Sequence, residues 1–188
     1  KKAHSEPDKK FFFIIDEINR GNLSKIFGEL MMLIESDKRG KYSLPLTYSE
    51  KDDTLFSVPE NLYLIGTMNT ADRSLAIVDY ALRRRFRFIT LEPKFNNKFK
   101  DFLGSKGFSK DFVHKIAVKL NTLNDRIKND KNLGSGFLIG HSFFCTSSLE
   151  NERNWFENIV KFEIKPLLEE YWFDDSEKVE EEVSKLLS

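Results

Sequence analysis

A single cysteine, Cys145, in a chain of 188 residues excludes an internal disulfide and cannot build a thiolate metal cluster; a reducing cytoplasm is the expected setting. No apolar run approaches the roughly 20 residues that span a bilayer, so no membrane partner is expected. Residues 1–10, KKAHSEPDKK, lack the apolar stretch of a signal peptide and read as a polar loop. There is no excess of either charge: thirty basic side chains face thirty acidic ones, so no net field draws the chain to nucleic acid. Any grip on DNA is expected from another segment. What is present, 40% hydrophobic and 32% charged residues, belongs to a soluble globular chain of one or two domains.

Phe11-Phe12-Phe13-Ile14-Ile15 is a short continuous apolar run ending in Asp16-Glu17, the pattern of a parallel strand buried on both faces. Helical spacing follows from Asn22, with Leu23, Ile26, Phe27, Leu30, Met31 and Ile34 on one face, up to about Asp37. Two β-prone pieces, 42–48 and 54–58, flank a polar stretch and predict a hairpin insertion. A second buried strand is expected over 62–68, running into Asn69-Thr70-Ala71-Asp72-Arg73-Ser74, then a helix over 75–84 and a third strand over 87–91. This alternation predicts a parallel sheet with crossover helices. After Pro93 only helices are expected, over 95–103, 110–128, 154–171 and 176–187, which places a domain boundary between 1–93 and 94–188.

In open parallel sheets, ligands bind beyond the carboxyl ends of the strands, and here two such ends carry polar clusters. An acid pair directly after an apolar strand suits nucleotide hydrolysis: Asp16 could hold Mg²⁺ while Glu17 activates the attacking water. The same two carboxylates could instead simply favour the start of the following helix. Asn69 could share that water and touch a phosphate, or be an ordinary turn residue. Arg83-Arg84-Arg85 could supply a positive charge to a neighbouring subunit's phosphate, or complement a helix dipole.

Other features point to structure. His141, beside Ser142, has no spaced acid or cysteine with which to form a triad or a metal site. The 18 phenylalanines, among them Phe11, Phe12, Phe27, Phe112 and Phe162, are expected in the core. The run Glu180-Glu181-Glu182 is expected to be a solvated helix face.

Phe13-Ile14-Ile15-Asp16-Glu17-Ile18-Asn19-Arg20-Gly21-Asn22 resembles the Walker B segment of McrB-type AAA+ proteins, and Met68-Asn69-Thr70-Ala71-Asp72-Arg73-Ser74 resembles their signature at the sensor 1 position. The similarity extends through Val78-Asp79-Tyr80-Ala81-Leu82-Arg83-Arg84-Arg85-Phe86, Ile139-Gly140-His141-Ser142-Phe143-Phe144 and Pro166-Leu167-Leu168-Glu169-Glu170-Tyr171. The resemblance implies an α/β fold, part of an AAA+ parallel-sheet domain of the P-loop NTPase class, followed by an all-helical lid. It implies hexameric rings that hydrolyse GTP with Mg²⁺ at subunit interfaces, an McrC-type nuclease as partner, and DNA recognition through a separate domain. Position by position, Glu17, Asn69 and Arg84 take the catalytic roles, with Arg84 offered to the adjacent subunit. Asp16, Arg20, Asp72 and Arg73 take the nucleotide-binding roles, Asp16 also serving the metal.

One departure stands out: no G-x-x-x-x-G-K-[ST] occurs, so the loop amides and lysine that cradle phosphates are absent. The chain is therefore expected to be a fragment that is inactive alone, the phosphate loop preceding Lys1. A MoxR-like AAA+ ATPase that remodels proteins, and a non-catalytic remnant acting as an interaction module, are the competing expectations. GTP rather than ATP rests on the resemblance alone.

Overall fold

The computed structural model describes residues 1–50, 54–69, 71, 83–145 and 151–188, with the side chains of Leu23 and Ser24 excepted. It divides into two compact units, Lys1–Ile89 and Thr90–Ser188.

In the first unit, a short helix α1 (Lys2–Ser5) precedes strand β1 (Phe11–Ile15), which pairs in parallel with β2 (Leu62–Gly66) in the register Phe11↔Leu62 to Ile15↔Gly66. The run of aromatic and β-branched residues that favours a pleated strand is therefore realised. Burial on both faces is not: Phe12, Phe13 and Ile14 are 59%, 56% and 65% exposed. The reason is architectural. Among the described residues the sheet has two strands, and no layer covers both of its faces. Ile15 instead packs at the edge of a small cluster built on Ile18 and Phe27, with Leu30, Met31, Met68 and Phe86.

The helix expected after Asn22 is two short ones, α2 (Leu23–Phe27) and α3 (Leu30–Leu33). Asn22 caps the first, its Oδ1 accepting the Lys25 amide at 3.0 Å. Gly28, at φ +43°, breaks the run, a conformation that side chains other than glycine's adopt at a cost. The break rotates the apolar face, so Ile26 is exposed while Leu33 and Ile34 are buried. The hairpin insertion reduces to one antiparallel bridge, Leu44↔Phe56, with bonds of 2.9 and 2.8 Å; residues 51–53 lie outside the described set. The expected third strand does not form: residues 87–91 are without strand structure, and Ile89 and Leu91 are exposed. A strand needs a neighbouring edge to satisfy its amides, and none reaches these residues among those described. Of the helix expected over 75–84, positions 75–82 lie outside the described residues.

The second unit is helical: α4 (Asn97–Ser105), α5 (Lys110–Asn129), α6 (Glu152–Ile159), α7 (Lys165–Tyr171) and α8 (Ser176–Leu187). In α5, Val113, Ile116, Ala117, Leu120, Leu123 and Ile127 form a buried stripe at helical spacing. It packs with Leu103, Ile139, Phe144, Ile164, Leu168 and Leu186 into the larger core. Between α6 and α7 the helix widens into a π segment, Val160–Ile164. Pro166 lacks the amide that would bond Phe162 and its ring crowds that carbonyl, so the widened turn sits where a regular one would clash. Phe162, expected in the core, is 75% exposed.

Two polar groups are buried here for identifiable reasons. Asn124 acts like a strand edge inside the helical core, accepting the Ile139 amide at 2.7 Å and donating to the Ile139 carbonyl at 3.0 Å. Glu182, expected in solvent with its neighbours, is buried and pairs with Arg126 and with Lys185 at 3.0 Å; Glu180 and Glu181 do stay exposed. Charge pairing is what makes that burial tolerable. His141 accepts the Lys94 amide through Nδ1 at 3.3 Å.

Candidate functional site

The register that pairs Ile15 with Gly66 also sets Asp16 beside Thr67, at the carboxyl ends of adjacent parallel strands. Pairing continues past the strands: Thr67 donates its amide to the Ile15 carbonyl at 3.0 Å, and Ile18 donates to the Thr67 carbonyl at 2.9 Å. Gly66 permits this closeness, since a β-carbon there would lie 2.9 Å from Ile18 Cδ1. The Thr67 hydroxyl then joins the acid pair, donating to Asp16 Oδ1 and accepting the Glu17 amide at 3.0 Å.

Glu17 sits at φ 49°, ψ 49°, the one non-glycine residue at positive φ among those described. Holding a glutamate there costs on the order of 1–3 kcal/mol and persists where surrounding bonds over-determine it. The turn it makes leads into the 3₁₀ segment Ile18–Arg20, and its carboxylate pairs with the Arg20 guanidinium three residues on. Asn19, in the same turn, is buried with its Nδ2 at 3.5 Å from the Asn69 carbonyl. Asn69 Oδ1 accepts the Ala71 amide at 3.1 Å, closing a local turn at the end of the second strand.

Asp16, Glu17, Arg20 and Asn69 are thus gathered at one end of the two-stranded sheet. Arg84 stands beside a different acid. It lies 3.9 Å from Glu35 Oε1, on the wall of a cleft of about 490 Å³ that Arg85 also lines. Asp72 and Arg73 lie outside the described residues. Sequence reasoning missed Thr67 and Asn19. The available signal for Thr67 was a hydroxyl one step beyond the second apolar run, but it acquires meaning only from the parallel register. The exposed Asp16 carboxylate and the Thr67 hydroxyl are hard oxygen donors suited to Mg²⁺, which takes few protein ligands beside water and phosphate oxygens.

Residues 2–86 match the AAA domain family of the dynein-related subfamily, and residues 115–180 match the alpha-helical lid domain of McrB. The chain is 54% identical to the type IV methyl-directed restriction enzyme EcoKMcrB subunit of Escherichia coli K12, over 98% of its own length and 42% of that protein's. It is 30% identical to the type II restriction enzyme BsuMI component YdiS of Bacillus subtilis 168, over 82% of its length and 48% of that protein's. The chain therefore spans less than half the length of either relative.

Proposed function

The chain belongs to the McrB-type AAA+ proteins, and from that membership we propose that it forms part of the GTP-hydrolysing motor subunit of a modification-dependent DNA restriction endonuclease. The observation that carries the hydrolytic reading is the Thr67 hydroxyl, which ties Asp16 to the backbone of Glu17 at a strand end beside Asn69. Holding the Asp16 carboxylate and the Glu17 backbone together supports a base and a metal-holding carboxylate that work side by side, as positioning-dominated phosphoryl transfer requires.

In this reading Glu17 accepts the proton of the attacking water, and Asn69 orients that water against the terminal phosphate. Release of Glu17 from Arg20 frees its carboxylate for that task, while the freed guanidinium is left to meet phosphate oxygens. Asp16 would hold Mg²⁺, which would supply charge neutralisation at the phosphates. The resemblance gives Asp72 and Arg73 nucleotide-binding roles as well. Arg84 serves the site of the adjacent subunit, a role supported by its exposed side chain, which Glu35 holds only loosely. The assembly is a ring, a hexamer by resemblance, working in the cytoplasm with an McrC-type nuclease. DNA is held through a domain outside this chain. Among the described residues no helix is long and apolar enough to cross a membrane.

The test is hydrolysis of GTP and of ATP by this chain alone and by a longer protein joining it to a phosphate-binding loop. GTP turnover should require the longer protein and exceed ATP turnover. Equal GTP turnover by both proteins would mean the nucleotide site lies elsewhere, and a preference for ATP would point to the MoxR-like alternative.

A further inference from the structure

The three consecutive arginines at 83–85 differ sharply in surroundings. Arg85 has a side chain only 9% exposed and donates from Nη2 to Glu35 Oε1 at 2.5 Å. Arg84 is 62% exposed, and its Nη2 stands 3.9 Å from the same oxygen, beyond hydrogen-bond reach. One carboxylate thus grips one arginine and only tethers the next. Glu35 itself stands on a firm base, because it follows Leu33 and Ile34, which are buried. Arg39 fastens that segment to the second strand by donating to the Ile34 carbonyl at 2.9 Å and the Leu62 carbonyl at 2.6 Å.

From this arrangement we infer that the Glu35–Arg85 ion pair is a positioning device that aims Arg84 outward, toward the phosphates of a nucleotide held by a second copy of the chain. The inference rests on the finger reading of Arg84 and adds to it the residues that set its direction. Arg84 and Arg85 are neighbours in one turn, so holding the Arg85 side chain also holds the backbone from which Arg84 departs. A finger is useful only if its long, flexible side chain leaves from a defined point. A largely buried guanidinium paired to a carboxylate gives that definition, since little water competes for the pair. The loose 3.9 Å approach to Arg84 leaves that residue available to a stronger anion such as phosphate.

The experiment is a double-mutant cycle in the longer protein that carries a phosphate-binding loop, read as kcat and KM for GTP together with the thermal unfolding midpoint. Glu35→Gln should lower kcat by roughly 10- to 100-fold, as misplacement of a reacting group does, and leave KM within about twofold. In an Arg84→Ala background the same change should alter kcat by less than about twofold, because the residue acts through Arg84. A purely structural Glu35 would instead give the same proportional loss in both backgrounds, and that result, or full turnover in Glu35→Gln, overturns the positioning role. If Glu35→Gln does not fold, Arg85→Gln removes the same ion pair from its other side, and the same cycle is read with it. Full turnover in Arg84→Ala alone would overturn the finger reading, and that failure is distinguishable from additivity in a cycle where Arg84→Ala is itself slow.

Discussion

Thr67 donates its hydroxyl proton to the carboxylate of Asp16, across the joint between two parallel strands whose register sets these residues side by side. The same oxygen accepts the amide of Glu17, so one small side chain bonds both the Asp16 carboxylate and the Glu17 backbone. Replacing it is the mildest way to disturb the site without removing a charge.

Thr67→Val keeps the shape of the side chain and removes the hydroxyl. It should cost about 1 kcal/mol of stability through the lost hydrogen bonds and lower GTP turnover roughly tenfold through looser placement of Glu17. Calorimetry of this chain and turnover in the longer protein measure the two effects. Unchanged turnover would show that the Asp16–Thr67 bond does not organise the chemistry.

Glu17→Gln preserves the size of the side chain and removes the base. Turnover should fall by roughly 10²- to 10⁴-fold, the usual contribution of general base catalysis, while affinity for a non-hydrolysable GTP analogue stays within about threefold. Titration and single-turnover kinetics on the same preparation separate the two. Wild-type turnover would remove Glu17 from the mechanism.

The pattern of what was legible follows from which forces act locally. An apolar run ending in two acids marks a strand and its carboxyl end, so β1 and the place of Asp16 and Glu17 could be read directly. The helical stripe of α5 and the span of α8 could be read for the same reason: their periodicity is local. Thr67 could not, because its role depends on strand register, which is a long-range property. Gly28 broke a helix that the apolar spacing had drawn as continuous, since backbone conformation overrode side-chain pattern. Phe12 and Phe162 were expected inside and lie outside, because hydrophobicity alone does not say which faces find a cover. Glu182 erred in the opposite direction, drawn inward by Arg126 and Lys185 from another helix and its own.

The helical unit makes a pH prediction of its own. Asp130 accepts from Lys178 Nζ at 2.7 Å, the Asn132 amide at 2.8 Å and Trp172 Nε1 at 3.0 Å, and these bonds, Lys178 first, lower its pKa to about 2. Because the folded value lies below the unfolded one of about 3.9, the contribution is fully present above about pH 4 and is lost as pH falls through about 2. Asp130→Asn should therefore cost about 2 kcal/mol at neutral pH, with the gap to the parent protein narrowing below about pH 3. Unfolding midpoints of both proteins across that range decide it; a gap independent of pH would mean the carboxylate charge is not what stabilises the network.

The most direct measurement of the account is complementation between two inactive forms of the longer protein, Glu17→Gln and Arg84→Ala. Each alone should hydrolyse GTP at least roughly 100-fold more slowly than the parent. Mixed rings should recover turnover, because some interfaces then pair an intact Glu17 with an intact Arg84 from the neighbouring subunit. No recovery in rings shown to contain both forms would contradict a hydrolytic site divided between Glu17 of one chain and Arg84 of the next.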